Sequence, residues 1–133
     1  MTSKGSRSRI KWEGDSNKVI RTWPADVRQN FGGELQRLEG HEEPLDSKSM
    51  GKTLSGVREL RDEDKDSWYR LLYFLHGGWI YVLHCFTKTT NRTSLGDIAI
   101  AKERLSEVKR RADYPPSKEK TKDEERKEQK RVR

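Results

Sequence analysis

Residues 67–88, SWYRLLYFLHGGWIYVLHCFTK, decide the architecture of this chain. Ser67–Leu75 and Trp79–Lys88 are rich in aromatic and β-branched residues, and His76-Gly77-Gly78 between them suits a tight turn, so the reading is a β-hairpin. Side chains alternate across a strand. In the first run Tyr69, Leu71, Tyr73 and Leu75 face one way, and Trp68, Arg70, Leu72 and Phe74 the other. In the second, Ile80, Val82, His84, Phe86 and Lys88 are expected to share a face opposite Trp79, Tyr81, Leu83 and Cys85. Both faces are largely apolar, so period alone leaves open which one meets the helices.

The flanks supply the rest of the sheet and its cover. Val57–Arg61 adds a short strand, and the acidic run Asp62–Asp66 connects it to the hairpin. Ile10-Lys11-Trp12 is a further strand candidate, stopped by the turn-like Glu13-Gly14-Asp15-Ser16. Thr22-Trp23-Pro24 starts a helix, with proline in the first turn where its missing N–H does no harm. Val27, Phe31, Leu35 and Leu38 then form one helical face. Gly32-Gly33 in mid-helix costs about 1–2 kcal/mol of propensity, so close packing or a kink is expected there. Gly40 and Pro44 end that helix, and Leu45–Ser55 reads as a loop carrying Lys48 and Lys52. Ser94 and Asp97 stand in capping-box register, and Ile98, Ala101, Leu105 and Val108 form the stripe of a last helix. The predicted class is α+β, in the order β-α-β-β-β-α: a small twisted antiparallel sheet with helices packed on one face.

Of 133 residues, 38% are charged and 30% hydrophobic, too few apolar side chains to build a globule from the whole chain. The predicted division is a flexible basic head over 1–8, a folding unit over 9–112 and a charged, disordered tail over 113–133. The net charge of +7 is unevenly spread. Residues 1–11 carry four bases and no acid, residues 114–133 eight bases and five acids, and 12–113 are formally neutral. A specific function must therefore rest on how charges are placed in the central body; basic ends only speed encounter with polyanions. The longest apolar run, Leu71–Phe86, is interrupted by His76, Gly77, Gly78 and His84, so no membrane span is expected. No secretory signal is expected, and the lone Cys85 excludes an internal disulfide and a cysteine-rich zinc site. The expected location is the cytoplasm.

Arg70 and His84 are the polar residues that stand out in the hairpin strands. If the register joins their faces, Arg70, His84 and Lys88 line one surface, which Arg58 or Arg61 and Lys48 could join. Such a cluster suits phosphate chemistry. A guanidinium matches two phosphate oxygens and stabilises the extra charge of a pentacovalent transition state. Lysine or histidine can take a proton from a ribose 2′-hydroxyl or deliver one to the departing 5′-oxygen. Such cleavage needs no metal, His41, His76 and His84 have no ligand spacing, and no cofactor is expected. The competing readings are an Arg70 paired with an acid such as Asp62 or Asp66, and a His84 satisfied within the core.

GVRELR (residues 56–61), WYRLLYFL (68–75), IYVLHCFTKTTNRTS (80–94) and the LGDI that follows resemble the RelE/ParE toxin superfamily. The branch most similar is the phage-derived, HigB-like toxins of bacterial type II toxin–antitoxin modules. IKWEGDSNKVIRTWP and the segment 44–50 fit the same branch, so the resemblance spans about 9–110. It implies a RelE-like fold, ribosome-dependent mRNA cleavage that halts translation, and neutralisation by a helix-turn-helix, HigA-like antitoxin in a hetero-oligomer. Carried over, Arg61 and Arg70 are phosphate clamps, and His84 and Lys88 complete the catalytic candidates as acid/base groups. Lys48, Lys52, Arg58 and Arg92 are the RNA-binding candidates, and Phe86 is core, with base stacking as the alternative. The chain departs from the branch at Thr89, where a second lysine is usual, and at Arg92, which replaces a lysine. Two other classes stay open: a ParE-like gyrase inhibitor, and a degenerate, non-catalytic phage-derived binding protein.

Overall fold

A computed structural model describes residues 9–89 and 92–112, so the head and the tail lie outside the described residues. The elements are β1 (Arg9–Trp12), α1 (Ser16–Ile20), α2 (Ala25–Glu39), β2 (Ser47–Ser49), β3 (Val57–Glu63), β4 (Trp68–His76), β5 (Trp79–Lys88) and α3 (Leu95–Arg111). The strands form one five-stranded sheet in the order β1-β5-β4-β3-β2. The class is α+β as expected, with two elements more than the sequence reading: α1, which starts at the last residue of the expected turn, and β2, inside the expected loop. Both are short, three to five residues, below the length at which periodicity carries a signal.

The hairpin forms as read. Gly77 and Gly78 take φ of +60° and +80°, the left-handed pair that a two-residue turn of right-handed twist requires. Two expectations need correction. The sheet is mixed rather than antiparallel, because β1 pairs parallel to β5. Alternation does not encode strand direction, and the long chain between β1 and β5 imposes no hairpin geometry on them. Helices also cover both faces rather than one. Val27, Phe31, Leu35 and Leu38 of α2, with Ile20, bury against Leu60, Tyr69, Leu71, Tyr73, Ile80 and Val82. Ala101, Leu105 and Val108 of α3 bury against Val57, Leu72, Phe74, Tyr81, Leu83 and Phe86. That is why both hairpin faces are apolar.

The strands are not in uniform phase. Leu72 pairs with His84 but Tyr73 with Val82, so Leu83 is an extra residue in β5. This β-bulge inverts the alternation beyond it. Ile80 and Val82 face α1 and α2, whereas Phe86 lies in the α3 core, on the face of its partner Arg70. The expectation that Ile80, Val82, His84, Phe86 and Lys88 share one face is therefore corrected.

The bulge is held from both sides. Val82 O accepts the Glu13 amide at 2.9 Å and the buried Ser16 hydroxyl at 3.2 Å, and Leu83 O accepts Arg104 Nη1 at 2.9 Å. Arg104 also reaches Asp15 at 3.0 Å and lies over Gly14, where φ is +55° and a Cβ would collide with the guanidinium. The α2 helix begins at Ala25 with Pro24 at its N-cap, one position later than expected. It runs unbroken through Gly32 and Gly33, where an added Cβ would meet nothing within 4 Å, so the expected close packing is absent. Ser94 caps α3 as read, its hydroxyl accepting the Asp97 amide at 3.0 Å.

Candidate functional site

The register stacks the polar residues of the α3 face in rows. Arg61 lies opposite Arg70, and Arg70 opposite Phe86. In the next row Lys48 of β2, Glu59, Leu72 and His84 are successive partners across four strands. On the other side of the arginine row Glu63, Trp68 and Lys88 line up. The apolar stripe of α3 closes the Val57–Phe74–Tyr81 end of the face. Beyond it a depression of about 590 Å³ is lined by Lys48, Ser49, Met50, Glu59, Arg61, Arg70, Lys88, Arg92 and Thr93. Five of these nine side chains are cationic and one is acidic.

Arg70 is central and buried, with 6% exposure. Its Nη1 donates to Tyr69 O at 2.9 Å and Asp62 O at 3.3 Å. Its Nε approaches Glu59 Oε2 at 3.7 Å, close enough for an ion pair but too far for a hydrogen bond, and no other acceptor meets it. Burial pulls the Arg70 pKa down, Glu59 counters this, and Arg61 adds to the fall. The guanidinium is fixed and charged, and it carries a buried donor without an acceptor.

Lys88 sits beside it, its Nζ donating to Thr93 Oγ1 at 3.2 Å. Desolvation, then the Arg70 charge, lower the Lys88 pKa below the ordinary lysine value, while Glu59 and Asp97 act against the fall. A lysine so placed gives up its proton more readily than a free one. Glu59, 6% exposed, is the carboxylate among these cations. It was absent from the sequence reading, although parity could have found it. Arg58 and Arg61 cannot share a face, and choosing Arg61 brings Glu59 with it.

The other candidates divide. Lys48, Arg61, Lys88 and Arg92 join Arg70 around the depression. Arg61 is tethered at the rim, with Nε and Nη2 at 3.3 and 3.2 Å from Asp46 Oδ1. Arg58 is on the opposite face with Tyr73, where its Nε donates to Ser47 Oγ at 2.9 Å. Lys52 is exposed in the turn 51–56, outside the lining. His84 does not line the depression either. It is 6% exposed, stacked on Phe86 at 4.9 Å, and its Nε2 meets Asp97 Oδ1 at 2.8 Å. Asp97 also accepts the Ser94 hydroxyl at 2.7 Å, so His84 pins the start of α3, next to Arg92 and Thr93. Phe86 is core, as read. Among the described residues no three His, Cys, Asp or Glu side chains gather as a metal-holding group.

A family model described as "Phage derived protein Gp49-like (DUF891)" matches residues 18–106. That range includes every residue lining the depression and omits β1. No curated protein matches the chain.

Proposed function

The chain belongs to the phage-derived Gp49-like family, broadly among the RelE/HigB-like toxins, and on that premise we propose that it is a type II toxin of HigB kind. It acts as a metal-independent endoribonuclease that cuts mRNA on the ribosome and stops translation, and its fold is a variant of the RelE-like arrangement. The observation that carries this reading is Arg70: a buried, charged guanidinium with an unsatisfied Nε, flanked by Arg61, Lys88 and Lys48 in an open depression.

The chemistry follows from the side chains. A ribose 2′-oxygen attacks the adjacent phosphorus while the P–O5′ bond breaks, giving a 2′,3′-cyclic phosphate and a 5′-hydroxyl. Glu59 takes the 2′-hydroxyl proton, and Lys88 delivers one to the departing O5′. Arg70 and Arg61 hold the non-bridging oxygens as charge accumulates on them. Lys48 and Arg92 attract the flanking phosphates. His84 acts by fixing α3 and the loop before it. The partner is a helix-turn-helix, HigA-like antitoxin, which covers the cationic depression in a hetero-oligomer.

Inducible expression in bacteria, with mRNA 5′ ends mapped across the transcriptome, tests the reading. Growth arrest with new, discrete 5′-hydroxyl ends is expected, and both should vanish in the rim variant Arg61→Ala, which leaves the buried pair intact. Arrest with intact mRNA and a DNA-damage response would instead indicate a gyrase inhibitor, and unchanged growth a non-catalytic binding protein.

A further inference from the structure

The chain has four tryptophans, and the fold accounts for three of them. Trp23 is buried against Phe31 and Tyr69 at centroid distances of 5.2 and 5.1 Å. Trp12 packs on the α2-side core. Trp79 packs on the α3-side core and carries Lys11 over its ring at 4.7 Å. Trp68 is only partly buried and belongs to neither core. Among the described residues it stacks on no other ring. Partial exposure of a single aromatic is ordinary; what singles out Trp68 is its place beside the cationic depression.

That location says what kind of ligand it suits. Trp68 lies directly opposite Lys88, and two residues before Arg70 on the same strand face, about 6.6 Å along β4. The platform is rigid. Asp64 accepts the amides of Asp66 and Ser67 at 2.9 Å each and the Tyr69 hydroxyl at 2.8 Å, fixing the turn from which Trp68 rises. Charge changes sign across this short distance. The depression is cationic, whereas Glu63 stands opposite Trp68 and Asp64 and Asp66 fill the preceding turn. A phosphate is therefore drawn to the arginines and Lys88 rather than to the Glu63 side of the tryptophan, and what lies over Trp68 is the uncharged part of a nucleotide.

We infer that Trp68 is the stacking platform for a nucleobase of single-stranded RNA, next to the phosphate held by Arg70 and Lys88. The inference rests on the ribonuclease reading and deepens it. It also moves base contact away from the hairpin core, where Phe86 is sealed at 6% exposure. Stacking tolerates any base and is additive with the phosphate contacts, so base and backbone binding are separable by experiment.

Two non-cleavable 2′-O-methyl RNA hexamers, one carrying its bases and one abasic with the same charge, are titrated against the full chain at fixed low salt. Wild type should bind the base-bearing hexamer more tightly than the abasic one. Trp68→Ala should lose about 5- to 150-fold on the base-bearing hexamer, the range measured for one stacked base, and nothing on the abasic one. Trp68→Tyr keeps a ring, so it should retain most of the affinity, and it covers the case in which the alanine variant folds poorly. Equal affinity of wild type and Trp68→Ala for the base-bearing hexamer, with Arg61→Ala weakening both hexamers, overturns the inference and leaves the phosphate site standing. If wild type binds neither hexamer, the inference fails, while the ribosome-dependent reading is decided by the 5′-end mapping.

Discussion

The Arg70–Glu59 pair offers the sharpest test of how this site is built. Both side chains are 7% exposed and their charged atoms are 3.7 Å apart. Glu59→Gln leaves a buried guanidinium facing Lys88, Lys48 and Arg61 without its principal carboxylate, since Glu63 and Asp46 act on it more weakly. Removing one partner of a buried pair costs about 3–5 kcal/mol. A domain of this size holds roughly 5–15 kcal/mol, so the variant should still fold. With a urea slope of about 1.5 kcal/mol per molar, its unfolding midpoint should fall by about 2–3 M. Arg70→Met should cost less, because Glu59 keeps Lys48 and Lys88 near it. The double variant Glu59→Leu/Arg70→Met removes both charges and fills the space with apolar atoms. It should return to within about 1 kcal/mol of wild type or exceed it, because exchanging a buried ion pair for packed apolar groups is commonly neutral or stabilising. The same protein should be inactive in RNA cleavage. Urea melts of the four proteins complete a double-mutant cycle with a coupling energy of several kcal/mol. A double variant whose loss equals the sum of the single losses would refute the reasoning, since the pair would then not be one buried unit. Restored stability with retained cleavage would refute its functional half.

Three further expectations can be checked with standard measurements. Gly32→Ala and Gly33→Ala meet open space in a regular helix, so each should stabilise the fold by about 0.5–1 kcal/mol in thermal melts; a loss would mean that the site is packed. Arg104→Met removes the donor to Leu83 O at the bulge and should cost about 1–3 kcal/mol, while Gly14→Ala should show a related loss because it displaces the same guanidinium. Lys88 has a folded pKa below the ordinary 10.5, so the unfolded chain binds more protons between the two values and stability rises with pH across that window. Lys88→Met should therefore be more stable than wild type at neutral pH, with its advantage gone above pH 10.5, and an advantage independent of pH would count against a desolvated lysine.

Local chemistry made much of this protein legible from its sequence. The glycine pair of the hairpin, the stripe from Val27 to Leu38 and the Ser94–Asp97 cap each express a rule acting within a few residues, and each appears where it was read. Arg70, Lys88 and Lys48 were also recognisable as parts of one cationic surface, although the sequence grouped His84 with them and left Arg58 and Arg61 as alternatives, and Arg92 came only from the family resemblance. Tertiary structure decided the rest. A single extra residue, Leu83, inverts the phase of β5, and no pattern in a largely apolar strand marks such an insertion; the hydrogen bonds that hold it, from Ser16 to Val82 O and from Arg104 to Leu83 O, come from helices elsewhere in the chain. The same packing turned Arg58 to the opposite face, drew His84 into a structural bond with Asp97, placed Glu59 among the cations and left Trp68 outside both cores. Those outcomes depend on which atoms meet across the sheet, and a linear chain specifies that only once strand register and helix cover are set together.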